Sequence, residues 1–338
     1  MKRLVVARTS ALGDVLLCTP ALAALKEAQP EAHLTFVTSA PFAALFEGLP
    51  FLDAVVPWDL HRDRSRGGIR RLAARVLRPG PVDLYIDLQN KVRTRLLGHR
   101  LRPARRLVYQ RRSTGQALLA LVGYDPPRTH PHATRAYLEV LAPLGVRPPP
   151  AGALRPTVHL EEAARAAARV RCPEAGAIAV APGARHATKR WPVSHFAEVA
   201  RTLCDRTGAP LLAVGGPQDG PLLDAFAAAV ARPVVDTRDL DLPVVAALLE
   251  RARLLVSNDT GPAHLAAAVD TPVVAVFGPT AESRWAPFGA QVVRTEIACA
   301  PCTNHGGARC PRGHHRCLRA LAPDEVLAAA LPLLEAAA

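Results

Sequence analysis

Ser257-Asn258-Asp259-Thr260-Gly261-Pro262-Ala263-His264 follows a short apolar run, Leu254-Leu255-Val256, and leads into an Ala-rich run from Ala263 to Val269. A short, continuous apolar run is what a strand buried on both faces of a parallel sheet reads as. The Ala-rich run predicts a helix, with Gly261 and Pro262 at the junction. Asp259 or Thr260 can cap it, and Pro262 fits its first turn. The first N–H groups of a helix have no partner within it, and the helix dipole favours negative charge there. His264 lies about one turn in from the cap, so its side chain can face the same anion. The stretch therefore fits two descriptions. One is a cradle that holds a diphosphate without a metal; the other is an ordinary strand–turn–helix with a capping acid.

Strand signals stand on both sides of it. Ile178 to Ala181 ends in Pro182-Gly183, Leu211 to Val214 ends in Gly215-Gly216, and Val234 to Asp236 and Val273 to Phe277 complete the second half. Pro192 opens a helix whose apolar Val193, Phe196, Val199, Ala200 and Leu203 share one face, and Gly208 closes it. Asp239-Leu240-Asp241 has the form of a metal-binding D-x-D, but reads better as the acidic start of a helix from Pro243 to Glu250. The first half repeats the alternation. Arg3 to Ala7 is a strand and Thr9 to Asp14 a turn, and a helix runs towards Gln29 with Thr19-Pro20 as a second start or kink. His33 to Val37, Ala54 to Val56, Leu84 to Leu88 and Leu107 to Tyr109 are further strands. Strands alternating with helices predict α/β structure with doubly wound parallel sheets. The Pro-rich stretch Gly145 to Pro156 reads as a linker, giving domains 1–155 and 156–338 that face one another across a cleft. Pro323 to Ala338 reads as a closing helix that can pack back across the linker.

The 338 residues suffice for roughly two domains. The formal net charge is +13, carried almost wholly by Arg, which suggests an anionic partner: nucleic acid, a membrane surface or a phosphorylated substrate. A genome rich in Arg codons produces the same excess. Two segments concentrate it: Arg62 to Arg78 has seven Arg against one Asp, and Lys91 to Arg112 has eight Arg, one Lys and no acid. Both follow strand ends, where open α/β sheets bind ligands; a solvated helix face is the other reading. A basic nucleic-acid-binding protein is a competing class. Three Trp, four Tyr and eight Phe leave little for base stacking, and no nucleic-acid module is visible, so no nucleic-acid partner is expected. No apolar run is long enough to cross a membrane. Met1 to Ala7 resembles the start of a signal peptide, but Arg8 and Asp14 interrupt it. Seven cysteines, an odd number, do not form a secreted disulfide framework, and a cytoplasmic location is expected. The patterns G-x-x-x-x-G-K-[ST], G-x-G-x-x-G after the first strand, G-x-S-x-G and H-E-x-x-H are absent. That argues against P-loop NTPases, dinucleotide oxidoreductases, serine hydrolases and zinc proteases.

Two further stretches carry chemistry. In Arg8-Thr9-Ser10-Ala11-Leu12-Gly13-Asp14, the Asp14 carboxylate can take a proton from a hydroxyl, or simply cap a helix. In the loop from Pro182 to Pro192, Lys189 and Arg190 can neutralise phosphate oxygens.

Taken in order, Ser10-Ala11-Leu12-Gly13-Asp14, Asp87-Leu88-Gln89, Lys189-Arg190-Trp191-Pro192, Gly215-Gly216-Pro217, Asn258 to His264 and Phe277-Gly278-Pro279-Thr280 resemble glycosyltransferase family 9, the ADP-heptose:lipopolysaccharide heptosyltransferases. The resemblance implies the GT-B architecture of two Rossmann-like domains. It implies an inverting, metal-independent transfer of heptose from an ADP-sugar donor to the inner core of lipopolysaccharide, with no cofactor. The N-terminal domain would bind an anionic glycolipid acceptor, in peripheral contact with the cytoplasmic face of the inner membrane, and the C-terminal domain the nucleotide sugar. The family's general base falls on Asp14, its diphosphate-binding lysine on Lys189, and its phosphate loop on Asp259, Thr260, Gly261 and His264. A donor-side loop that carries hydroxyl residues in some members reads Gly183-Ala184 here, a departure from the pattern. Another nucleotide sugar or acceptor on the same fold stays open.

Cys299, Cys302, Cys310 and Cys317 stand as C-x2-C-x7-C-x6-C, with His305, His314 and His315 among them. They could hold a structural zinc ion, or be a group of reduced thiols or a disulfide. The segment also resembles a cysteine-containing loop of some family members.

Overall fold

Strands β1 (Arg3–Ala7), β2 (His33–Ser39), β3 (Ala54–Trp58), β4 (Leu84–Asp87) and β5 (Arg105–Val108) form a parallel sheet in the order β3-β2-β1-β4-β5. Strands β6 (Ile178–Ala181), β7 (Leu211–Ala213), β8 (Val235–Asp236), β9 (Leu254–Asn258), β10 (Val273–Val276) and β11 (Gln291–Val293) form a second, in the order β11-β10-β9-β6-β7-β8. The structure is a computed structural model that describes residues 1–63, 65–110 and 131–336. Each sheet belongs to its own compact unit: the first takes the N-terminal part of the chain with Ala133–His159, the second the chain from Leu160 onward. The first unit keeps the chain as far as His159 because Thr157 N–H donates to Thr19 Oγ1 at 2.9 Å and His159 N–H to the Leu45 carbonyl at 2.8 Å.

The central strands are buried throughout because helices cover both faces, as the sequence predicts for parallel sheets. In the second unit the helix Val193–Thr207 buries Phe196, Val199, Ala200 and Leu203 of its expected apolar face and leaves Val193 partly buried, and Gly208 ends it in a left-handed conformation. Phe196, Val199 and Leu203 each contribute about 1.5–3 kcal/mol on burial. The helix Pro323–Ala336 packs on that helix and on β9, β10 and β11. In the first unit the helices Arg66–Leu77 and Val92–Leu101 pack against one another. Ile69, Leu72, Ala73 and Val76 go into the core with Trp58 and Tyr85.

The strand orders locate the sites. In the first sheet the chain runs outward from β1 to β3 and returns to the other side of β1 with β4. In the second it runs outward from β6 to β8 and returns beside β6 with β9. The crevices where an open α/β sheet binds ligands therefore lie beyond the carboxyl ends of β1 and β4, and of β6 and β9.

Candidate active site

In the first unit, Ala7 at the end of β1 stands beside Asp87 at the end of β4. Beyond them the two loops are tied by side chains. Arg8 Nη1 donates to the Leu88 carbonyl at 2.6 Å, and Gln89 Oε1 accepts from Thr9 N–H at 2.8 Å and Thr9 Oγ1–H at 2.6 Å. Gln89 Nε2 donates to Ser10 Oγ at 2.8 Å. Asp87 forms the turn itself, accepting the N–H groups of Gln89 and Asn90 at 2.9 and 2.7 Å.

Asp14 sits in the first turn of the short helix Leu12–Leu16, and both roles weighed for it are visible. Its Oδ2 takes Ala11 N–H at 3.3 Å, the helix-start role. Its Oδ1 pairs with Arg8 Nη2 at 2.7 Å and accepts the Tyr137 hydroxyl at 2.8 Å. The Asp14 side chain keeps 18% exposure against 6% for Arg8, so the carboxylate faces outward from a buried cation. The Arg8 guanidinium also lies 5.2 Å from the Tyr137 ring centroid, within cation–π reach. Burial works against the Arg8 charge, but Tyr137 and Asp14 outweigh it and raise its pKa above the ordinary arginine value. Burial first, and Asp14 second among the raising causes, push the Tyr137 phenol well above its ordinary value, so it acts as a donor to Asp14. Arg8 was legible as part of the turn. Tyr137 was not, because the helix Ala133–Leu141 that carries it is far away in sequence and shows only an ordinary amphipathic pattern.

In the second unit, Asn258 joins the ends of β6 and β9: its Nδ2 donates to the Pro182 carbonyl at 2.9 Å and its Oδ1 accepts Trp191 N–H at 3.0 Å. This holds the loop that carries Lys189 beside the start of the helix Gly261–Ala268. Lys189, on the short 3₁₀ turn Ala187–Lys189, pairs with Asp259 Oδ2 at 2.7 Å. Thr280 Oγ1 donates to the same oxygen at 2.6 Å. Thr280 stood within a quoted motif but was not picked out as a site residue. Arg190 turns back on its own loop, its Nε donating to the Ala184 carbonyl at 2.8 Å. Burial, then Arg185 and Lys189, lower the pKa of His186, as expected in a positive surrounding.

The expected cap of the Gly261–Ala268 helix is corrected. Thr260 is the N-cap residue but gives no side-chain cap; its Oγ1 donates to the Asn258 carbonyl at 3.2 Å. The Asp259 carboxylate is committed to Lys189 and Thr280. The start of this helix thus carries no side-chain cap. His264 is buried in the helix at 4% exposure. At the departing loop position, a Cβ on Gly183 would come within 2.4 Å of Asp219 Oδ1, so any side chain there requires Asp219 to move.

Asp239 and Asp241 are exposed, and Asp241 occupies the N-cap position of the helix Leu242–Glu250. Among the described residues no three His, Cys, Asp or Glu side chains form a group that could hold a metal ion. The four thiols stand near one another: after burial, Cys299 and Cys310 raise the Cys302 thiol, and Cys302, Cys310 and Cys299 raise that of Cys317, while Cys299 Sγ lies 3.7 Å from His314 Nε2. Cys317 packs into the apolar core, where burial pushes its thiol up to about 11, whereas Cys302 is exposed. Backbone N–H groups, that of His315 foremost, lower the Cys310 thiol. No disulfide joins them.

The basic segments lie on the solvent faces of the helices Arg66–Leu77 and Val92–Leu101, with Arg66, Arg70, Arg71 and Arg75 exposed on the first and Arg95 and Arg100 on the second. Arg64, Arg111 and Arg112 lie outside the described residues.

A family model described as glycosyltransferase family 9 (heptosyltransferase) matches residues 69–310. Lipopolysaccharide heptosyltransferase 1 of Pseudomonas aeruginosa is 29% identical over 317 residues, covering 89% of this chain and 86% of that protein. A solved family 9 glycosyl transferase from Veillonella parvula superposes with a TM-score of 0.80 at 23% identity, covering 99% of this chain and 97% of that one. The solved E. coli ADP-heptose lipopolysaccharide heptosyltransferase II superposes at 0.76, also at 23% identity, covering 99% of each.

Proposed function

Because the chain belongs to glycosyltransferase family 9, whose GT-B fold its two parallel-sheet units share, we propose that it moves a heptose from ADP-heptose to the inner core of lipopolysaccharide, with inversion and without a divalent metal. One observation carries the reading: an uncapped helix start, at the switch point of the second sheet, beside the Lys189–Asp259–Thr280 cluster. Asp14 removes the proton from the acceptor hydroxyl. The hydroxyl oxygen attacks the anomeric carbon, the bond from that carbon to the phosphate oxygen breaks, and ADP leaves. Lys189 and the N–H groups after Thr260 receive the charge that builds on the departing oxygen, the term that usually lowers such barriers most. Exposed arginines on the two helices of the first unit suit an anionic glycolipid, and Val92 and Leu96 on the second of these helices, 73% and 39% exposed, add apolar contact.

A thermal-shift screen against ADP, UDP, GDP and CMP tests the donor side. ADP at a hundredfold excess over its Kd adds about 2.7 kcal/mol of stability, and the other nucleotides add less. Equal stabilisation by all four, or by UDP alone, refutes the ADP-sugar reading. Turnover in excess EDTA is expected to match that in buffer, since lysine and helix dipole supply the positive potential. A loss that Mg²⁺ or Mn²⁺ alone restores would overturn metal independence.

Tyr137→Phe removes one donor to Asp14 and nothing else. The expected result is a kcat lowered about tenfold, donor KM unchanged, and the acidic limb of the pH–rate profile moved to higher pH, because the lost hydrogen bond favoured the ionised carboxylate. An unmoved limb would mean that the hydroxyl serves packing alone.

A further inference from the structure

The cysteine-bearing segment has no part in the chemistry above, yet it touches the donor side at every turn. We infer that residues from Cys302 to His315 form a positioning strap that sets Lys189 and Thr280 against Asp259; the inference rests on the assignment of Lys189 to the donor diphosphate.

The strap grips the two groups that meet at Asp259 from behind. On one side it holds Thr188, the residue before Lys189. Thr188 N–H and Oγ1–H both donate to the Gly307 carbonyl, at 3.2 and 3.0 Å, and Thr188 Oγ1 accepts Gly307 N–H at 2.8 Å. His315 Nε2 lies 2.8 Å from the Thr188 carbonyl, to which it donates in the tautomer protonated there. On the other side the strap holds Pro279, the residue before Thr280: its carbonyl accepts the N–H groups of Cys302 and Thr303 at 2.9 and 3.0 Å. Between these grips the Lys189 stem lies on the backbone of Gly306. A Cβ there would stand 2.9 Å from Lys189 Cγ and 3.0 Å from Cδ, and the residue's φ of +85° also favours glycine. The strap is itself anchored by Trp285, whose Nε1 donates to the Asn304 carbonyl at 2.8 Å and whose ring lies 5.4 Å from that of His305. An ammonium on a flexible four-carbon stem gains directional value only when its backbone and stem are fixed, and this segment fixes both.

Thr188→Val, isosteric but without the hydroxyl, tests the role, with ADP affinity by calorimetry and steady-state kinetics on the full chain. The expected result is an ADP Kd and a donor KM raised about tenfold, an unchanged acceptor KM, and recovery in Thr188→Ser. His315→Asn, which suits the left-handed backbone at that position but is too short to reach Thr188, is expected to weaken ADP about threefold and decides the matter if Thr188→Val does not fold. Wild-type ADP affinity in these variants, with affinity lost in Lys189→Ala, overturns the strap and leaves the donor assignment standing. Wild-type affinity in Lys189→Ala as well overturns the donor assignment itself. Donor and acceptor KM rising together with a lowered Tm reduces the segment to a structural cover and overturns the inference.

Discussion

Asp14→Asn turns over its substrates about 10²- to 10⁴-fold more slowly than the wild-type enzyme, the usual cost of losing a general base, and binds ADP with unchanged affinity. The separation of the two effects follows from where the residues stand. Asp14 belongs to the first unit, and Lys189, Asp259 and Thr280 to the second. Asparagine keeps the size, and its carbonyl can still accept from Arg8 and Tyr137. It cannot take a proton. It also removes the counter-ion of an Arg8 that is 6% exposed, so a lowered Tm is expected as well; breaking a buried pair costs about 3–5 kcal/mol, and this part-exposed one less. Calorimetry with ADP and a single-turnover transfer assay, both well below the melting range of the variant, separate chemistry from stability. Near-normal turnover would leave Asp14 as a helix-start acid and partner of Arg8. The other acid at this switch point, Asp87, is a poor substitute, since it is 1% exposed and shapes the turn through two backbone N–H groups. ADP affinity falling in step with turnover would give Asp14 a purely structural role.

Lys189→Ala raises the donor KM and lowers kcat, with kcat/KM for the donor down by about 10²- to 10³-fold and the acceptor KM unchanged. This is the range seen when one charge-stabilising donor is removed from a transition state. On the proposed function, the ammonium meets the diphosphate in the ground state and holds it more strongly as the leaving oxygen gains charge. The substitution also strands Asp259, 5% exposed, with Thr280 as its remaining named partner. The Lys189→Ala, Asp259→Asn double variant relieves that buried charge, so it should recover Tm without recovering kcat. Recovery of both would mean that the single variant failed through folding. A change confined to the acceptor KM would move Lys189 to the acceptor's side of the reaction.

The parts of this site that could be read from sequence are those whose physics is local. Apolar runs closed by polar residues marked the central strands, and the alternation with helices made the sheets parallel. The switch-point rule then placed the Asp14 turn and the Asn258–His264 stretch at strand ends. Weak local signals failed at the sheet edges. β5 starts upstream of the expected Leu107, on the exposed Arg105 and Arg106, and the three-residue β11 at Gln291–Val293 has no apolar run to reveal it. What could not be read depends on the fold. Tyr137 reaches Asp14, Thr280 reaches Asp259, and Gly307 reaches Thr188 across long sequence separations, and nothing near any of these residues announces its partner. The capping expectation failed for the same reason. Asp259 and Thr260 have the right chemistry for a cap, but a lysine seventy residues upstream claims the first, and the neighbouring Asn258 carbonyl claims the second.

The ion pair at 2.7 Å between Lys189 and Asp259 gives the resting enzyme a resident competitor for its own ligand. A bare ammonium in a protein of net charge +13 would collect chloride, orthophosphate or any stray polyanion it met. Here an arriving anion must displace a carboxylate that is already in place and held by Thr280. An anion that also engages the helix start has more to gain from that exchange than one that meets the lysine alone. On the proposed function, the same carboxylate would take the lysine back as ADP departs. Selectivity for a diphosphate would then rest, on that same function, on an acid that never has to touch the sugar.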